Sequence, residues 1–109
     1  MEKKLTDTTI HELDIAIYNA LPEGYDTTVV SGVSLNDTIK VSHDTNRLAM
    51  YISWDETTDG VLNATVYNEG IMRDGFVQDF EIVEEGIYWD TNEANVTAES
   101  IAEDIIKHI

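Results

Sequence analysis

The stretch Asp74-Gly-Phe-Val-Gln-Asp-Phe-Glu-Ile-Val-Glu-Glu-Gly-Ile-Tyr-Trp-Asp-Thr-Asn-Glu93 decides how this chain is read. Seven carboxylates stand in it (Asp74, Asp79, Glu81, Glu84, Glu85, Asp90 and Glu93) with no Lys, Arg or His. Phe76, Phe80, Tyr88 and Trp89 lie among them. Apolar residues alternating with acids follow the period of a strand that buries one face and shows the other to water. The glycine ending Glu84-Glu85-Gly86 predicts a turn there. Two strands result, Phe76 to Val83 and Ile87 to Asp90. Phe76, Phe80 and Ile82 are expected inward, and Asp79 and Glu81 outward beside Val77 and Val83.

Working back from this stretch, the same period holds over most of the chain. Val61 to Asn68 places Leu62, Ala64 and Val66 on one face. Arg47 to Trp54 places Leu48, Met50, Ile52 and Trp54 on one face and is the clearest strand pattern of all. Thr38 to His43 alternates, and Thr27 to Val33 is rich in β-branched residues, with Gly32 suited to a bulge. Asn36-Asp37, Asp44-Thr45-Asn46, the loop Asp55 to Gly60, Glu69-Gly70 and Asp74-Gly75 supply the breaks.

The ends follow a helical period. Ile10, Leu13, Ile17 and Leu21 make one stripe over a helix from about Thr8 to Ala20, with Thr9 and Glu12 forming a capping box and Pro22 ending it. Ala98, Ile101, Ala102, Ile105 and Ile109 make the other. Thr97 is its N-cap with Glu99 in the first turn, and Lys107 and His108 sit near the negative end of the helix dipole. The order is α-β-β-β-β-β-β-α. Connections this short favour antiparallel neighbours, because parallel strands need long crossovers. The expected fold is α+β: one antiparallel meander sheet of five or six strands, with the N-terminal and C-terminal helices packed on one face. Residues 1–109 read as a single acidic domain.

Composition narrows the chemistry. Twenty-two acids against six bases give a formal charge of −16, and the absence of cysteine excludes disulfide and thiolate chemistry. Such a field repels nucleic acid and anionic membrane and attracts basic partners. The N-terminal residues lack the apolar run of a secretory signal or a membrane span, so a cytoplasmic location is expected, in the host cell if a phage encodes the chain. Asp44-x-Asn46 and Asp90-x-Asn92 begin like calcium loops but lack the glycine at the sixth position and the glutamate at the twelfth. Asp55, Glu56 and Asp59 read as an acidic hairpin loop, and His11, His43 and His108 have no ligand spacing. No metal or cofactor is expected. Asp79 and Glu81 are spaced for two-acid hydrolysis, as almost any pair is in so acidic a chain. No nucleophile elbow, P-loop or dinucleotide fingerprint is present, and no enzymatic activity is expected.

Carboxylates two apart on a strand project about 6.6 to 6.8 Å apart, twice the strand rise, a spacing at which they can stand in for successive phosphates. In size, charge and lack of catalytic motif the chain resembles the small acidic anti-restriction and anti-CRISPR proteins of phages and the immunity proteins that neutralise nuclease toxins. That resemblance implies a non-enzymatic inhibitor occluding the basic, nucleic-acid-binding surface of a partner protein such as a nuclease. The expected contact acids are Asp79, Glu81, Glu84, Glu85, Asp90 and Glu93, and the expected aromatic anchors are Tyr88 and Trp89, while Trp54 is expected in the core. The alternative is a structural or protein-interaction accessory module whose acidity serves solubility. A second copy of the chain covering an exposed sheet face, where Val61, Val77 and Val83 otherwise meet water, is a further expectation.

Overall fold

The computed structural model describes residues 9–31, 37–45, 47–68, 71–73, 76–78 and 81–109, with only the backbone described at 31, 71–73, 76–78 and 81. Helix α1 spans Ile10–Ala20. Thr9 caps it, its Oγ1 accepting from the Glu12 N–H at 3.1 Å. The Thr9 hydroxyl also donates to the Glu12 carboxylate, at 3.4 Å. Leu21, held extended (φ −82, ψ 146) before Pro22, ends the helix. Gly24, at φ +99, then turns the chain into the sheet.

Seven strands follow: β1 Tyr25–Ser31, β2 Asp37–His43, β3 Leu48–Trp54, β4 Val61–Asn68, β5 Ile71–Arg73, β6 Phe76–Gln78 and β7 Glu81–Asp90. Helix α2, Ala98–His108, closes the chain. Thr97 is its N-cap and Glu99 lies in its first turn, as expected, and Ser100 completes a capping box. Ser100 N–H donates to Thr97 Oγ1 at 3.1 Å and Thr97 N–H donates back to Ser100 Oγ at 2.8 Å.

The main sheet is antiparallel with order β1-β2-β3-β4-β7, and β5 and β6 form a separate two-stranded ribbon. The α+β class, the antiparallel sheet and the two terminal helices are as expected. The register puts Ile39 opposite Ile52 and Val41 opposite Met50. It continues with Met50 opposite Val66, Ile52 opposite Ala64 and Leu62 opposite Trp89. These side chains share one face and join Ile10, Leu13 and Ile17 of α1 and Ile101 and Ile105 of α2 in a single core. Burying each such aliphatic side chain contributes about 1.5–3 kcal/mol. Trp54 and Leu21 pack partly buried against that core.

The acidic stretch departs from expectation. The chain does not turn at Glu84-Glu85-Gly86; β7 runs straight through it. Ten residues of β7 lie against eight of β4, and the difference is absorbed at two register shifts, between Ala64 and Val66 and between Val66 and Tyr67. Gly86, at φ +84, supplies the left-handed backbone that a bulge needs as much as a turn does. Ile82, expected inward, is 54% exposed, because its register partner is Tyr67 on the face away from the helices. The segment expected as one strand from Phe76 to Val83 is divided. Residues 76–78 pair with 71–73, where no strand was expected, and Arg73 and its partner Phe76 are separated by two residues, the shortest common hairpin connection. The expected bulge at Gly32, the placement of Asp79 and Phe80, and the side chains of Phe76, Val77 and Glu81 lie outside the described residues.

Candidate protein-binding surface

Strand β7 is an edge strand of the main sheet, and α2 lies along its helix side. Two side-chain bonds tie them. Trp89 Nε1–H donates to Asp104 Oδ2 at 2.8 Å, and His108 Nδ1 meets Glu84 Oε2 at 2.7 Å. Glu84 reaches α2 because of the bulge at Glu85-Gly86. In unbroken alternation Glu84, Tyr88 and Asp90 would share one face, whereas here Glu84 is opposite Val66, which faces the core. The single row of acids two residues apart does not survive along β7.

The expected contact residues therefore separate. Glu84, Glu85 and Glu93 are exposed, and Glu93 sits in the turn after β7, its N–H donating to Asp90 O at 3.1 Å. Asp90 is half-buried and its Oδ1 accepts from the Asn92 N–H and Nδ2, at 3.0 and 3.1 Å. Tyr88 is 68% exposed on the face away from the helices, opposite Asn63. Trp89 is corrected from anchor to core: it is 6% exposed, with its ring among the buried aliphatics and its one donor satisfied by Asp104. Alternation forces this outcome, since Tyr88 and Trp89 cannot both face water from the same strand. Glu81 begins β7 by its backbone, and Asp79 lies outside the described residues.

Two further groups, the acids of α2 and the tyrosines of the sheet, bear on the same reading. On α2, Glu99 and Glu103 are exposed, but about 140° and 100° round the helix from Asp104, the residue that meets Trp89, so they stand apart from the β7 edge. On the open face, the Tyr51 and Tyr67 rings meet edge-on with centroids 5.2 Å apart, and Lys40 Nζ stands 6.0 Å from the Tyr51 centroid. Odd-numbered spacing along β3 and β4 was the available signal for that pair, but their diagonal meeting depends on the register of Tyr51 with Thr65 and of Ala49 with Tyr67.

The loop after β3 is an ordered acidic turn. Asp55 Oδ2 accepts from Asn63 Nδ2 at 2.9 Å, and Oδ1 accepts from the Thr57 N–H and Oγ1, each at 2.8 Å. The Asn63 amide first, then the Thr57 donors, hold the Asp55 carboxyl down from 3.8 to about 2. Since the folded value is the lower one, this arrangement favours the fold above the ordinary carboxylate range and ceases to do so as pH falls through about 2. A carbon-detected NMR titration is expected to give Asp55 a midpoint near 2, moving towards 3.8 in Asn63→Ala. A wild-type midpoint at the ordinary value would refute the bonding described. Among the described residues no group of three or more His, Asp or Glu side chains is arranged to hold a metal ion, and no helix is long and apolar enough to cross a membrane.

Comparison with protein-family models, with curated proteins and with solved structures finds no match for this chain.

Proposed function

We propose that the protein is a non-enzymatic inhibitor whose acidic surface occupies the basic, nucleic-acid-binding surface of another protein, a nuclease being the favoured type. The observation that carries this reading is the acidic flank formed by the β7 edge. Glu84 and Glu85 on that edge and Glu93 in the turn after it are all exposed, and the Trp89–Asp104 and Glu84–His108 bonds fix the edge against α2. Fixed carboxylates on a rigid scaffold attract a cationic surface over a Debye length and then form charge-assisted bonds to its arginines. The bulges disperse the acids along this flank, so it presents negative potential without copying the regular spacing of phosphates.

The test uses a purified type II restriction endonuclease, an RNA-guided DNA nuclease and a DNase toxin domain, each assayed for cleavage with and without the protein. Inhibition of at least one is expected at about 50 mM salt, falling by roughly tenfold or more at about 500 mM, with the free protein displaced by added DNA. Glu84→Lys with Glu85→Lys is expected to slow association by about tenfold, because charge outside the contact centre acts mainly on encounter. Binding that ignores both salt and the double reversal would leave the acidity as a solubility device on an accessory module.

A further inference from the structure

The face of the main sheet turned away from the helices differs from the rest of this chain in its charge. The positions that the register assigns to it include only three charged residues among those described, Asp26, Lys40 and Asp90. Its centre is Tyr51 and Tyr67 in edge-on contact, with Tyr88 on the next strand 68% exposed. Thr65 and Ser53 stand beside them, and Thr28 lies on edge strand β1 beyond Lys40. Acids stand around this area, where strands end or the sheet stops: Asp44, Glu56, Asp59 and Glu85 are exposed there, with the exposed Arg47 beside them just before β3, while Asp37 meets His11 of α1 on the helix side.

We propose that this open face is a docking platform for a protein whose contact surface has an uncharged, apolar centre and a surrounding ring of Lys and Arg. Charge depletion with tyrosine enrichment at the centre and charge at the rim is the anatomy of a protein–protein interface. The sign of the rim selects the occupant. Phosphates of a nucleic acid are repelled by it, and a second copy brings the same negative rim and another net charge of −16. Five strands about 4.8 Å apart and about 23 Å long give a projected area of the order of 450 Å². With side-chain relief and the rim included, this approaches the roughly 800 Å² that each partner gives to a standard interface. The inference rests on the inhibitor reading and assigns its parts: the acids govern how fast the partner arrives, and the tyrosines govern how long it stays.

The experiment is biolayer interferometry against the same three nucleases, comparing the wild type with Tyr88→Ser, Thr28→Arg and Ile15→Ser. All three sites are exposed, and circular dichroism melts verify that each variant folds. For a nuclease that the wild type binds, Tyr88→Ser is expected to raise the dissociation rate about tenfold. Thr28→Arg sets a positive charge against the partner's basic ring and is expected to weaken binding by about fivefold or more. Ile15→Ser, on the outer side of α1, is expected to change affinity by less than about twofold. Binding that tolerates both open-face substitutions overturns the proposal and leaves the inhibitor reading intact on the acidic flank. Absence of binding to all three nucleases overturns both. Sedimentation equilibrium showing a dimer that Tyr88→Ser dissociates would place a second copy on the face and overturn the proposal as well.

Discussion

Replacing Trp89 by alanine is expected to destabilise the protein by about 3–5 kcal/mol, the range for removing a large aromatic side chain from a packed core. The indole is 6% exposed and lies in the cluster that joins both helices to the sheet. A domain of this size has about 5–15 kcal/mol of stability in all, so the loss is a large share of it. Asp104, with 43% of its side chain exposed, recovers water as a partner when the indole is gone, so the loss is mainly one of packing. Trp89→Phe separates the two contributions. It keeps most of the ring and removes the N–H bond to Asp104, for an expected loss of about 1 kcal/mol from the hydrogen bond plus a smaller packing term. Urea unfolding followed by circular dichroism reads both. A loss under about 1 kcal/mol in Trp89→Ala would show that the residue lies outside the core.

Gly86→Val is expected to cost about 2 kcal/mol, and Gly86→Asn distinctly less. Left-handed backbone costs a residue with a Cβ about 1–2 kcal/mol, asparagine tolerates it better, and a β-branched side chain is the least compatible with it. A Cβ at Gly86 would meet no atom within 4 Å, so the expected loss is conformational and not a clash. The substitution also bears on the surface. If valine displaced the bulge by one residue, Glu84 would leave its position against His108 and move towards the Tyr88 face. Proton NMR of the His108 ring in the two variants checks this, and equal stability of Gly86→Val and wild type would argue against the bulge.

The acidic stretch shows how far local pattern carries. Its alternation announced a strand with acids towards water, and β7 is a strand. Its glycine announced a positive φ, and Gly86 has one. Neither signal distinguished a turn from a bulge, because both consume the same backbone conformation at the same residue type. The decision came from β4, whose eight residues face ten of β7. That mismatch then set which acids share a face, and so dispersed the row that equal spacing would have made.

What the sequence by itself determined is what short-range geometry and composition control: the two helices and their ends, the alternating strands β2 to β4, the aliphatic side chains that fill the core, and a net charge of −16. Helical and strand periods are properties of the backbone, so a side chain's place within its element is legible from its neighbours in the chain. Only the tertiary structure decided that Trp89 is core and Tyr88 surface, that Glu84 belongs to α2's side, and that three tyrosines from three strands stand on one nearly uncharged face. Those outcomes depend on strand partners, register and bulges. They are set by contacts between residues far apart in the chain, for which no local period carries a signal.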